Sequence, residues 1–265
     1  MGTQVASLDI KWAYHNSPIA PKHKPYLAVS WNDGIYVGHC VVEGLVTVGG
    51  IQGCPSDALL DFFHYCGIEN VFKWVDDMVI FQPLSSLLIH PGSIILNTYA
   101  FNLNTIFNIM TPLGIPWHSI ETKGQYFASL VKYIGLWWDL DTCHVSLPEK
   151  KWVKILAKIN SFPVSSRSMV TQWDSTSLHG SLQHIMFIFR EGRSTLPPLS
   201  SFISKFLNDF MKHHVPHSIV ECMNWWKYVL AAPGGSHSLV LWVHLDQDIW
   251  VDASTSWGIG IMVRQ

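Results

Sequence analysis

Adjacent carboxylates inside an apolar segment are the most distinctive chemical feature of this sequence. Asp76 and Asp77 interrupt the segment NVFKWVDDMVIF, and a third acid, Asp9, lies within the segment SLDIKWAY. Charge in apolar surroundings is costly unless something compensates it. Carboxylate oxygens are preferred ligands of hard divalent cations, and two-metal phosphoryl transfer requires acids from separate strands to converge. We therefore expect Asp9, Asp76 and Asp77 to hold Mg²⁺ or Mn²⁺.

A tight β-hairpin is the element that would present the two adjacent aspartates. Apolar runs at Val71–Trp74 and 78–81 flank them, which is typical of two antiparallel strands joined by a short turn. A further strand is predicted over 5–13 and carries Asp9. Two adjacent aspartates also occur in ordinary polar turns. A hairpin without chemistry, with Asp9 simply at a strand end, is therefore an alternative interpretation.

The remaining pattern alternates strands with helices and then becomes mostly helical. Asn32-Asp33-Gly34 is a strong turn signal between predicted strands at 26–31 and 35–42. The glycine-rich stretch 44–53 is predicted as a loop. The other expected elements are helices at 55–66, 97–113, 148–159, 175–189 and 199–213, strands at 126–140, 144–147, 239–245, 249–253 and 259–263, and a linker at 233–236.

The composition is that of a folded chain with few charges. Of the 265 residues 14% are charged, and a net charge of −2 gives no electrostatic indication of a nucleic-acid partner. Five cysteines without paired spacing, and no secretion signal at the start, favour a reducing intracellular location in the cytoplasm or nucleus. The sequence predicts no membrane span. The histidines at 213, 214 and 217 lack the spacing of a zinc site.

Four segments, in order over residues 7–160, resemble the characteristic segments of reverse transcriptases. SLDIKWAYHNSPIAPKHKPYLAVSWNDGIYV resembles the first acidic motif, in which an aromatic residue follows the aspartate by five positions. KWVDDMVIF resembles the YxDD box, with Trp74 in the usual tyrosine place. LGIPWHSIETKGQYFASLVKYIGLWWDL resembles the next palm segments, and SLPEKKWVKILAKI resembles the start of the thumb. The order and spacing are similar to those of the retrotransposon branch, and in particular to fungal retroelements.

This resemblance implies an α+β fold and a polymerase function. Residues 1–147 would form a palm, an antiparallel sheet with helices on one face, and 148–235 would form a helical thumb and connection region. Residues 236–265 would form a β-hairpin that starts a truncated ribonuclease H-like domain. The implied activity is RNA-directed DNA polymerisation, in which a primer 3′-OH on a primer–template attacks a deoxynucleoside triphosphate with the help of two Mg²⁺ or Mn²⁺ ions.

The resemblance assigns the metal ligands residue by residue. Asp9 and Asp76 would be the two main Mg²⁺ ligands, and Asp77 would be the third acid. The backbone carbonyl of Ile10 would be an additional ligand. These roles place all the metal chemistry at the end of one strand and the tip of one hairpin.

The same resemblance assigns the substrate contacts. Tyr14 would be a steric gate whose ring occupies the space of a ribose 2′-OH, although a packed aromatic residue at a strand end is an alternative. Lys123 would lie near the incoming pyrophosphate as a proton donor, although a lysine in a loop is usually a solvated charge. The hairpin at 133–138 would hold the primer end, or would simply pack as apolar strands.

Several departures from the family limit these expectations. Met1 stands eight residues before Asp9, so the fingers subdomain is expected to be absent, and Glu43 precedes Gly44 in the segment expected beneath the templating base. DIWVDASTSWGIGIMV resembles the first hairpin of a ribonuclease H domain. Asp252 would be its first metal-binding acid, and one acid cannot hold two metals, so this part is expected to be inactive.

Two other classes of function therefore stay open at this stage. One is a non-enzymatic remnant of a degenerate or truncated retroelement, which keeps the acids without polymerising. The other is an unrelated metal-binding or interaction module built on the same acidic hairpin. Primer extension dependent on the aspartates would distinguish a polymerase from both.

Overall fold

The structure is a computed structural model, and it describes residues 2–42, 44, 46–89, 95–165, 168–231, 235–240, 249–254 and 258–263. Across these residues the chain has a mixed α/β fold with antiparallel sheets. None of the helices in these ranges is long and apolar enough to cross a lipid bilayer. The α-helices are α1 (Val48–Tyr65), α2 (Leu103–Met110), α3 (Glu149–Ser161), α4 (Gln172–Ile185), α5 (Pro197–Ile203) and α6 (His217–Val229).

The strands form two four-stranded sheets and several two-stranded ribbons. They are β1 (Gln4–Asp9), β2 (Ala28–Trp31), β3 (Gly34–Val37), β4 (Val71–Trp74), β5 (Asp77–Gln82), β6 (Leu84–Ile89), β7 (Ile95–Tyr99), β8 (Gly124–Ala128), β9 (Leu130–Tyr133), β10 (Leu136–Asp139), β11 (His144–Ser146), β12 (Met169–Thr171), β13 (Lys212–His214), β14 (Ser236–Ser238), β15 (Ile249–Ser254) and β16 (Gly258–Val263). The first large sheet has the order β4-β5-β1-β8 and the second the order β14-β11-β10-β9.

Residue alternation in β1 places Asp9 on the face of the first sheet opposite to its larger hydrophobic cluster. Successive side chains of a strand point to opposite faces. Ala6 and Leu8 pair with Ile80 and Met78 of β5, and all four are buried in a cluster that includes apolar residues of α1 and α2. Asp9 has the other parity, so it lies on the face turned away from this cluster. That second face is also packed, by a smaller cluster of Val5, Val79 and Val131, and Asp9 lies at the end of the strand beyond it.

Helix α1 begins at Val48, so the predicted loop at 44–53 is wrong from Val48 onward. Glycine residues disfavour a helix, but packing of a buried face outweighs that preference. The buried side chains recur at helical spacing, and two of them are polar and bonded to each other. Gln52 Nε2 donates to Ser56 Oγ at 3.3 Å. The buried residues of this face are Val48, Gln52, Ser56, Leu59 and Phe63.

The predicted helix at 97–113 is correct only in its second half. Strand β7 runs to Tyr99, and α2 begins after Asn102. Asn102 and Thr105 form a capping box, in which the Thr105 N–H donates to Asn102 Oδ1 at 3.0 Å. This box fixes the start of the helix because it satisfies N–H groups that have no partner inside the helix.

Helices α3 to α6 enclose a second core. Trp226 of α6 is fully buried there, and its Nε1 donates to Thr195 Oγ1 at 2.9 Å. The predicted helix at 199–213 is wrong beyond Ile203, because β13 follows and pairs with β12. Helix α6 was not predicted from the sequence, and the segment 126–140, which was expected to contain an apolar strand, forms three strands, β8, β9 and β10.

The short hairpins follow the sequence prediction closely. The β2–β3 and β4–β5 pairs and the pairing of β10 with β11 are confirmed. The β15–β16 pair also forms where strands at 249–253 and 259–263 were expected. Strand β14 begins at Ser236 and pairs with β11, whereas half of the predicted linker at 233–236 and most of the predicted strand at 239–245 lie outside the described residues.

Candidate active site

Asp9 and Asp77 face each other at the end of the β1–β5 ladder. They are Cα partners in the antiparallel register, and their carboxyl groups share a side-chain hydrogen bond. The pKa of Asp77 is raised from 3.8 to about 6 by burial first, then by the negative charges of Asp76 and Asp9 and the hydrogen bond, while Lys123 acts in the opposite direction. Asp77 therefore holds a proton more readily than an isolated aspartate would.

Asp76 lies in the two-residue turn between β4 and β5. Trp74 pairs with Asp77, so Asp77 is already a strand residue and only Val75 and Asp76 form the turn. Val75 has a φ of 59°, a conformation that β-branched residues rarely adopt. The Ile10 N–H donates to the Asp76 carbonyl at 3.4 Å, which joins the hairpin tip to the end of β1. The predicted hairpin is thus confirmed, with Ile10 contributing its N–H to this junction.

Two basic side chains lie against the Asp9 carboxylate. Lys123 Nζ is 3.4 Å from both of its oxygens, and His118 Nε2 is 3.4 Å from Oδ1. The His118 N–H also donates to the Asp9 main-chain carbonyl at 3.0 Å. Lys123 was predicted from the sequence as a site residue, whereas His118 was not. A polar ring in the otherwise apolar stretch GIPWHSI, five residues before Lys123, is the signal that could have revealed it.

Gly124 allows Lys123 to reach Asp9. Its φ of +139° is one that other residues rarely adopt, and a Cβ there would lie 2.9 Å from the carbonyl oxygen of Ser7. Gly124 is the Cα partner of Leu8 in the β1–β8 pairing. Only a residue without a side chain permits so close an approach of two backbones. The segment Thr122-Lys123-Gly124 therefore places the lysine where β8 pairs with β1.

A cavity of about 390 Å³ adjoins the acid pair. Asp9, Asp77 and Lys123 line it together with Lys132 and the turn between β9 and β10. Burial and the negative charge of Asp77 raise the pKa of Tyr133, another lining residue, to about 12, so its hydroxyl stays protonated. Carboxylates and lysines in one cavity suit a phosphorylated ligand, because lysines attract phosphate oxygens and carboxylates hold the accompanying cation.

The structure does not bring every predicted site residue to this cavity. Tyr14 is half-buried at the start of the short 3₁₀ turn Tyr14–Asn16, and it is not among the lining residues. The predicted primer hairpin at 133–138 spans the end of β9, the turn and most of β10, and its turn does line the cavity. Asp252 pairs with Gly260 in the β15–β16 hairpin. The Asp252 side chain lies outside the described part of the chain.

The acid pair fits a hard divalent cation. Asp9 and Asp77 offer carboxylate oxygens from adjacent strands, and a bound cation would relieve their repulsion and that of Asp76. Within the described ranges, however, no three His, Cys, Asp or Glu side chains are close enough together to enclose a metal ion as they stand. Lys123 supplies the positive charge at Asp9. A cation would have to share that carboxylate with Lys123 or displace it.

Comparisons with known proteins give matches in structure but not in sequence. No protein-family model and no curated protein matches this chain. The foamy viral protease-reverse transcriptase bound to an RNA/DNA hybrid has a TM-score of 0.57 and 15% identity, over 88% of this chain and 27% of that one. The same viral protein bound to dsDNA has a TM-score of 0.52 and 13% identity, over 99% of this chain and 51% of that one.

These similarities show the fold of this chain. A further complex, the foamy viral protease-reverse transcriptase dRH with ds DNA, has a TM-score of 0.50 and 14% identity, over 98% of this chain and 43% of that one. This chain thus spans between 27% and 51% of the viral chains that it matches. The fold is reverse transcriptase-like, with mixed helices and antiparallel sheets.

Proposed function

We propose that this chain is the palm and thumb of a retrotransposon RNA-directed DNA polymerase, which adds deoxynucleotides to a primer 3′-OH. The observation that carries the proposal is the Asp9–Asp77 pair, held by two neighbouring strands of an antiparallel sheet in a reverse transcriptase-like fold. Acids from separate strands that meet at one point are what two-metal phosphoryl transfer requires. Residues 1–147 would be the palm, 148–235 the thumb and connection, and 236–265 the start of a ribonuclease H-like domain.

In this proposal the aspartates bind the cation and Lys123 binds the phosphates. Asp9 and Asp77, with Asp76 beside Asp77, would hold Mg²⁺ or Mn²⁺. When bound, the cation supplies positive charge at the transferred phosphoryl group. Lys123 would bind the triphosphate and donate a proton to the pyrophosphate that leaves, because its ammonium group already lies at the edge of the acid pair and is largely exposed.

Substrate positioning is assigned to the elements around the cavity. The hairpin at 133–138 would place the primer end, since its turn lines the same cavity as the acids. Tyr14 would restrict the sugar to a deoxyribose, and Ile10 would complete the metal site through its backbone. The bound partners would be a primer–template and a deoxynucleoside triphosphate. The complexes of the foamy viral protein with an RNA/DNA hybrid and with dsDNA support a nucleic-acid partner.

A non-enzymatic retroelement remnant is the second candidate, and one feature of the site favours it. Lys123 neutralises the charge of Asp9. Among the described residues, no three potential metal ligands lie close enough together to enclose an ion. A site in which lysine takes the place of a cation can keep its fold without chemistry. The remnant would retain the hairpin and the acid pair while lacking polymerase activity.

Primer extension with Mg²⁺ or Mn²⁺ separates the two candidates. Under the first, the purified chain extends a primer on an RNA template, and Asp9→Asn, Asp76→Asn and Asp77→Asn each abolish extension. Asp141→Asn is the matched control, since Asp141 is an exposed acid outside the site. A wild-type chain that binds Mn²⁺ and primer–template but never extends would identify the remnant instead.

A further inference from the structure

Lys151 connects three elements at one edge of the cavity. It projects from the first turn of α3, and its Nζ donates to the main-chain carbonyl of Gly135, in the turn between β9 and β10, at 3.3 Å. The same Nζ lies 2.7 Å from Nε2 of His184 in α4. Since a lysine ammonium group has no acceptor, His184 must accept through an unprotonated Nε2. One side chain therefore ties a β-turn to two helices.

The turn is shaped to receive this lysine. Ile134 and Gly135 have φ values of 49° and 71°, so both adopt the left-handed conformation of a tight hairpin turn. A Cβ added at Gly135 would collide with Lys151 Nζ. Glycine at 135 thus serves both the turn and the approach of the ammonium group.

The charges around Lys151 make this junction depend on a neutral imidazole. Burial, then the positive charges of Lys132 in β9 and Lys154 in α3, lower the pKa of Lys151. Burial and the charge of Lys151 lower the pKa of His184. Both pKa values are lowered because positively charged groups lie close together in a partly buried region. At neutral pH His184 is therefore unprotonated and available to accept from Lys151.

We propose that Lys151 is the positioning residue that fixes the β9–β10 turn against the helical region, and so sets the wall of the cavity that faces Asp9 and Asp77. Ile134 and Gly135 line that cavity together with the two acids, so a shift of the turn changes the space beside them. This role of Lys151 rests on the proposed function, in which the β9–β10 turn places the primer end. Small displacements of a positioned reactant lower rates strongly.

Hydrogen–deuterium exchange over 130–139 tests the positioning without any need for catalysis. Lys151→Met is expected to raise exchange at the turn about tenfold, because it removes a hydrogen bond from a charged donor. Lys150→Met is the matched control, since it removes the same charge from an exposed position of the same helix that does not act on Lys151. Exchange in Lys151→Met that equals the control would overturn the proposal.

Substitutions of His184 separate a specific acceptor from general packing. His184→Gln keeps an acceptor and should keep exchange near the wild-type rate, whereas His184→Leu should raise it in the same segment as Lys151→Met. Equal exchange in the two His184 variants would contradict the role of the acceptor. Both variants must first show wild-type circular dichroism, and a variant that fails this check is replaced by His184→Asn or His184→Met.

Primer-extension kinetics then test the link to the primer end. Lys151→Met is expected to raise the KM for primer–template several-fold at unchanged KM for the nucleotide. A rise in exchange with no change in KM would refute the link to the primer. If the wild-type chain extends no primer, the proposed function fails, and the exchange experiment still decides whether Lys151 positions the turn.

Discussion

Asp9 and Asp77 are opposite residues of one antiparallel ladder, and their carboxyl groups are close enough to share a hydrogen bond. The backbone holds them there, because six consecutive residue pairs fix the register of β1 and β5. The two acids cannot separate to relieve their repulsion without breaking the ladder. Charge compensation at this point must therefore come from protons, from neighbouring lysine, or from a bound cation.

The first prediction concerns stability and pH. The pKa of Asp77 is higher in the folded state than in the unfolded state. Its contribution to the free energy of unfolding is therefore fully present below about pH 4 and is lost as the pH rises through about 6. Asp77→Asn should therefore be more stable than wild type at pH 8. The shift corresponds to roughly 3 kcal/mol, which solvent screening at a partly exposed site reduces to about 1 kcal/mol.

Urea unfolding at pH 5 and pH 8 measures this effect. The difference between Asp77→Asn and wild type should shrink at pH 5, whereas Asp141→Asn should match wild type at both values. A variant that is less stable than wild type at pH 8 would show that the repulsion at this site is already relieved.

The second prediction concerns divalent cations. Mn²⁺ should raise the melting temperature of the wild-type chain at pH 8, because a ligand that binds only the folded state stabilises it by about 2.7 kcal/mol at a hundredfold excess over its Kd. Asp9→Asn and Asp77→Asn should abolish the shift, and Asp141→Asn should retain it. A shift of equal size in all four proteins would place the cation elsewhere.

The third prediction concerns His118. Its ring contacts the Asp9 carboxylate, and its main-chain N–H donates to the Asp9 main-chain carbonyl. His118 therefore supports Asp9 from the side opposite the β1–β5 ladder. Groups that orient a metal ligand typically change metal affinity by 10- to 100-fold when removed. We expect His118→Ala to weaken Mn²⁺ binding by roughly tenfold in calorimetry. His144→Ala, an exposed histidine on β11, is the control, and an equal loss in both variants would contradict the role of His118.

The fourth prediction compares two glycines in the helical region. A Cβ at Gly192 would collide with the ring of the buried Trp226, whereas a Cβ at Gly180 in α4 would meet open space. Gly192→Ala should therefore lower the free energy of unfolding by about 1–3 kcal/mol. Gly180→Ala should raise it by up to about 1 kcal/mol, because alanine favours a helix. Thermal unfolding of the two variants measures whether the free energy of unfolding falls in Gly192→Ala and rises in Gly180→Ala.

The short apolar hairpins could be predicted because their pattern and their turns are local. The β4–β5 pair and its aspartates follow directly from the alternation on either side of Val75 and Asp76. His118 could not be predicted, because its contact with Asp9 joins segments more than a hundred residues apart. The apolar residues around His118 make its ring stand out, but they do not indicate which distant group it contacts.

The first turns of α1 and the whole of α6 could not be predicted, for a related reason. The buried face of α1 contains Gln52 and Ser56, so a search for apolar spacing underestimates it. Helix α6 presents Ile219, Cys222, Met223 and Trp226 to the core, but exposed Tyr228 and half-buried Trp225 blur the pattern. In both helices the decisive information is which side chains meet a tertiary partner, and periodicity alone does not contain it.

Strand β14 has a consequence for how the chain folds during synthesis. It covers the edge of β11, although about ninety residues, including α3 to α6, separate the two strands. Until the ribosome has released Ser236–Ser238, the edge of β11 stays unpaired and can recruit a strand from another chain. A chain cut just before β14 should therefore aggregate more readily on expression than one cut after it.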